Sequence, residues 1–186
     1  MNALLSFFQA PATSLFLNTL ADGFFAAVAA IGFALISNPP VRVALIAGFL
    51  AAVGHMFRYV LLHTQAMGIS SASLCAAMLI TLLAIAAARR WHTPAEMYAF
   101  PALLPMIPGM FAYKAILATM QFLGATDLVE QQRLLTEMAY NGFTSFFIMS
   151  ALAVGAMLPL FLLHRESALM RGIYSRWRER RGDAKP

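Results

Sequence analysis

Five long apolar runs, at roughly positions 15–37, 41–63, 69–88, 97–123 and 138–163, alternate with short clusters of polar, basic and proline residues. A helix needs about 20 mostly apolar residues to cross a bilayer, and each run is long enough. The pattern predicts an all-α integral membrane protein with five transmembrane helices. Asn38-Pro39-Pro40 closes the first hairpin, because proline ends a helix and biases the residue before it toward extended backbone. The fourth run differs from the others: Pro101, Pro105, Pro108 and Gly109 fall within it, with Tyr113 and Lys114 just beyond. Each proline removes a backbone N–H, so this span is expected to be discontinuous at Pro105-Gly109. Broken backbone is tolerated in a bilayer only against protein or a water-filled cavity, which makes the stretch a candidate transport site. Elsewhere small residues recur four apart, as in Ala26, Ala30 and Ala34, or Ala47 with Ala51 and Gly48 with Ala52. Such faces let helix backbones approach closely.

Composition agrees with the pattern. Of 186 residues, 61% are hydrophobic and 11% charged, which excludes a soluble domain with a polar surface. The formal net charge of +5 would fit nucleic acid, but seven of the thirteen basic residues lie after position 164, beyond the apolar runs, so no nucleic-acid partner is expected. The placement of Lys and Arg sets orientation instead. With the N-terminus outside, Arg42, Arg89, Arg90 and the seven basic residues of the tail fall inside, and Arg133 alone falls outside. The expected topology is therefore N-out, C-in. Trp91 and Tyr98 then sit near the inner boundary and Tyr140 near the outer one, while Asp127, Glu130 and Glu137 fall in an outer loop. The chain divides into an interfacial N-terminal segment (1–14), a transmembrane module (15–163) and a basic tail (164–186). In the tail, Leu169, Ile173 and Trp177 recur at i+4 among arginines, the pattern of an amphipathic helix lying on anionic lipid.

Charged residues inside spans cost at least about 2.5–3.5 kcal/mol each at the bilayer centre and are functional candidates by default. There are three here: Asp22, Arg58 and Lys114. Counted from the outer ends of their spans, they lie roughly 10, 8 and 13 Å deep. His55 precedes Arg58 by three residues on the same helix face, and Asn141 enters the last span from the same side. One reading is a buried Asp22–Arg58 ion pair with Lys114 snorkelling outward. The other is a polar cavity in which two cations against one carboxylate call for an anion, supplied by a bound carboxylate. In the second reading, the helix restarting after Pro108-Gly109 points its positive dipole end at that anion, with Tyr113 one turn on as a further donor. Asp22 and His55 are the groups whose charge could change in a transport cycle. No His/Cys/Glu set has metal spacing, and no nucleophile–base pair or phosphate loop stands out, so neither an enzyme nor a cofactor is expected. The single cysteine, Cys75, lies within an apolar run as a small packing residue.

Gly32-Phe33-Ala34, Asn38-Pro39-Pro40-Val41-Arg42, Gly54-His55 with Arg58, and Pro105-Met106-Ile107-Pro108-Gly109 with Ala112-Tyr113 occur in this order. Together they resemble the threonine/serine exporter (ThrE) family, most closely its short-subunit, YjjB-type branch, from about Leu20 to about Leu163. The resemblance implies a bacterial inner-membrane secondary exporter of small carboxylate metabolites, such as threonine, serine or succinate, driven by the proton gradient. It also implies a larger ThrE-type membrane subunit as partner, and it marks Asp22, His55, Arg58, Pro105, Pro108 and Gly109 as motif positions. The basic tail from Arg165 onward departs from the pattern of short members. A structural or regulatory subunit, with the larger partner carrying the transport path, is the competing expectation.

Overall fold

The computed structural model describes residues 11–64 and 67–180, with side chains for 14–63 and 67–163. Of the interfacial segment expected over 1–14, residues 1–10 lie outside the described residues and 11–14 belong to the first helix, while the side chains of the basic tail lie outside the described residues. Helices account for nearly all of the described chain: α1 (Pro11–Ile36), α2 (Val41–Thr64), α3 (Ile69–Trp91), α4 (Glu96–Leu103), a 3₁₀ turn (Leu104–Met106), α5 (Gly109–Gly124) and α6 (Leu128–Arg180). Among the described residues four helices are each long and apolar enough to cross a membrane, and α4 with α5, bent by 46° at the break, makes a fifth if the pair is one span. The chain is an all-α, multi-pass membrane protein.

The first hairpin closes where the sequence says it should. Asn38 takes a left-handed φ of 48°, which asparagine tolerates better than most residues, and Pro40 then accepts the first amide bond of α2 through its carbonyl. Between α1 and α2 the contact is made by small residues: Ala26, Ala30, Ala34, Ala47 and Ala51 are buried. A Cβ on Gly48 would stand 2.7 Å from Ile31 Cγ1, and one on Gly23 would stand 2.6 Å from Met56 Cγ. At the α3–α6 contact a Cβ on Gly155 would meet the carbonyl oxygen of Leu74 at 2.7 Å, so backbone faces backbone there. Helix α3 lies deepest, burying Ala72, Ala76, Ala77, Ile80 and Ala84. It ends on a left-handed His92 (φ 54°) whose N–H donates to Ala88, an αL cap.

The broken span joins two neighbourhoods. Helix α4 packs among α1, α2 and α3, whereas α5 packs on α6. The break falls where the prolines predict it, since Pro101 lies inside α4 and the backbone leaves the α-form only from Leu104 until α5 starts at Gly109. A difference from the expectation concerns the last span. Helix α6 begins at Leu128, so Glu130 and Glu137 stand on a helix rather than in an outer loop, and only a short connection follows α5. Asp127 caps it: its carboxylate accepts from the Glu130 N–H at 3.4 Å, and Asp-x-x-Glu has the spacing of a capping box. Arg133 bridges Glu130 and Glu137 at 2.7 and 3.2 Å, and that hydrogen bond from Arg133 holds the Glu130 carboxyl below its usual range. At its other end α6 continues as backbone helix from position 164 to Arg180 without interruption.

Candidate functional site

Where α5 diverges from α1 and α2, a cavity of about 350 Å³ opens at the helix break. Its wall consists of Asp22 from α1, His55, Arg58, Tyr59 and Leu62 from α2, the whole stretch from Pro105 to Phe111, and Ile148 from α6. The prolines shape it. Pro108, with φ −78° and ψ 54°, makes an inverse γ-turn in which the Gly109 N–H donates to the Ile107 carbonyl at 2.8 Å. The Ala112 N–H then donates to the Pro108 carbonyl, which leaves the amides of Met110 and Phe111 without a backbone acceptor. Helix α5 thus starts at the cavity wall with the positive end of its dipole.

The carboxylate of Asp22 lies 3.3 Å from His55 Nδ1. An ionised carboxylate only accepts hydrogen bonds, so Nδ1 is the protonated nitrogen in this contact. His55 is 7% exposed, and its other nitrogen, Nε2, is buried without a partner. That atom accepts when the ring is neutral and donates when the ring is charged. The Nε of Arg58 is likewise buried and unpartnered. The ion pair that equal depth allowed between Asp22 and Arg58 does not form: among the described residues Asp22 pairs with His55. The reason is position along the helix axis, since His55, on the same face nearly one turn before Arg58, is the residue level with Asp22.

Six sequence-derived candidates therefore meet at one cavity: Asp22, His55, Arg58, Pro105, Pro108 and Gly109. Three do not. Tyr113 is 60% exposed and Lys114 is exposed, both on α5 outside the cavity wall. Asn141 is buried in α6, where its Nδ2 donates to the Glu137 carbonyl at 2.8 Å. The expected excess of two cations over one carboxylate is accordingly absent from the cavity. Fixed charge there is Arg58 against Asp22, and any positive excess depends on His55 taking a second proton. Sequence reasoning passed over Tyr59, Leu62, Met110, Phe111 and Ile148. Leu62 follows Arg58 by four residues and could have been found from helix spacing, whereas Ile148 depends on the register of α6. Among the described residues no group of three or more metal-ligating side chains comes together.

The sequence profile described as Threonine/Serine exporter, ThrE, matches residues 22–162. The chain belongs to this family. The matched stretch starts at the cavity aspartate and takes in every wall residue, and ThrE is a transporter family rather than an enzyme family. A relative from Haemophilus influenzae (strain ATCC 51907 / DSM 11121 / KW20 / Rd), described as an uncharacterized protein, is 33% identical over 160 residues. The match covers 85% of this chain and 52% of the relative, so the chain spans about half the length of the curated relative it matches. No solved structure matches the chain.

Proposed function

We propose that this ThrE chain is the smaller membrane component of a proton-coupled secondary exporter of small carboxylates, threonine, serine or a dicarboxylate such as succinate, in a bacterial inner membrane with its N-terminus outside. The observation that carries this reading is the set of unpartnered donors on one wall: Arg58 Nε, the Met110 and Phe111 amides at the start of α5, and His55 Nε2 when protonated. Buried donors are normally satisfied, and an acceptor-only carboxylate satisfies several together. The Asp22–His55 pair supplies a group that can take up and release a proton beside that carboxylate. A second component is supported by the relative, in which the matched region makes up only about half of the chain. The larger ThrE-type subunit would provide the rest of the path.

Efflux of threonine, serine and succinate from cells producing both components tests the proposal. Arg58→Gln removes the charge-assisted hydrogen bonds and is expected to weaken half-saturation about ten- to a hundredfold. Unchanged efflux of all three by that variant would mean that Arg58 does not hold substrate. Efflux by the larger component alone, undiminished, would favour a regulatory role for this chain.

A further inference from the structure

We infer that the groove between α2 and α3 binds one anionic glycerophospholipid of the surrounding bilayer. The groove measures about 470 Å³ and runs along Leu45, Phe49, Leu83 and Ala87 to Arg90 and Trp91 at one end. On α2, Leu45, Ile46 and Phe49 share a face with Arg42, at i+3, i+4 and i+7 from it. On α3, Ala86, Ala87 and Arg90 follow Leu83 with the same spacing. The α3 wall thus ends on Arg90, and the apolar stripe of the α2 wall leads on to Arg42, about one turn beyond the residues that line the groove. The two helices run antiparallel, since Gly54 packs against Ile80 while Leu45 and Trp91 line one groove, so both arginines stand at the same end. Neither has an acidic partner among the described residues.

This combination selects its occupant by chemistry. An acyl chain matches the apolar walls, and a phosphodiester matches two free guanidinium groups, which bind phosphate through paired charge-assisted hydrogen bonds. A neutral or zwitterionic lipid fills the groove but leaves the positive charge uncompensated. A free anion uses the arginines but none of the apolar length. Trp91, 47% exposed at the arginine end, suits the headgroup level, where amphipathic rings concentrate. Basic pockets between transmembrane helices are a recurrent form of anionic-lipid recognition. The groove shares no residue with the cavity at the helix break, and the inference does not depend on what that cavity carries.

Trp91 itself reports occupancy. The only other tryptophan is Trp177, so a Trp177→Phe background leaves a single fluorophore on the groove. Reconstituted in phosphatidylcholine bilayers, this protein is titrated with dibrominated phosphatidylglycerol or dibrominated phosphatidylcholine, whose bromines quench on contact. Half-maximal quenching is expected at a mole fraction of phosphatidylglycerol about fivefold below that of phosphatidylcholine for each arginine engaged. Arg90→Gln or Arg42→Gln should reduce the preference, the double variant should abolish it, and Arg90→Lys should retain most of it. Both arginines are exposed, so these variants leave the packed core intact. Identical curves for the two lipids would overturn the inference, as would a preference surviving in the double variant. Absence of quenching by either lipid, the result if another protein covers the groove, would overturn it too.

Discussion

His55 meets Asp22 through Nδ1 and leaves Nε2 buried without a partner, and both residues line the cavity, so the pair stands beside the space where a substrate would lie. If this pair exchanges the coupling proton, Asp22→Asn should abolish efflux driven by a proton gradient while sparing substrate counterflow, which moves no net proton. Transport assays in proteoliposomes, with and without an imposed gradient, separate the two. Lys114→Gln should leave both activities near wild type, because Lys114 stands outside the wall. Depth along each span was legible in the sequence, and it brought Asp22, His55 and Arg58 to one level. Azimuth was legible only within an unbroken helix. The γ-turn at Pro108 resets the helical phase, so the faces of Tyr113 and Lys114 could not be carried across the break from Pro105.

At the scale of elements, the close contacts make the sharpest predictions. Gly155→Ala places a methyl against the Leu74 backbone, which cannot rotate away as a side chain can, and α3 and α6 must separate. A loss of about 1–3 kcal/mol is expected in reversible denaturant unfolding in detergent, the range for overpacking a tight contact. Gly109→Ala should not change stability appreciably by the same assay, since a Cβ there has nothing within 4 Å. A loss of transport in that variant would then report on the cavity rather than on folding. The helix count and the small-residue faces were readable from residue spacing alone. The early start of α6 was not taken from the sequence, although Asp127 and Glu130 carry a capping signal, because the polar stretch from Asp127 to Glu137 resembles a loop when judged by hydropathy. Exposed helix turns outside a bilayer can be polar on most sides, and the Glu130–Arg133–Glu137 bridge is how this one is held.

For the molecule as a whole, the two halves of the broken span pack in different places, α4 among α1, α2 and α3 and α5 on α6, and the cavity lies where the two halves part. A carboxylate there would rest between Arg58 of α2 and the opening amides of α5, so binding and the bend at the break are coupled. The most direct measurement is substrate protection of a cysteine placed on the cavity wall. In a Cys75→Ala background, Met110→Cys puts the only thiol on an exposed wall position at the start of α5, and Lys114→Cys puts it one turn further on, outside the wall. Threonine, serine or succinate should slow maleimide labelling at position 110 in membranes containing both components and leave labelling at position 114 unchanged. Equal labelling at position 110 with and without each of the three would contradict a carboxylate site at the helix break.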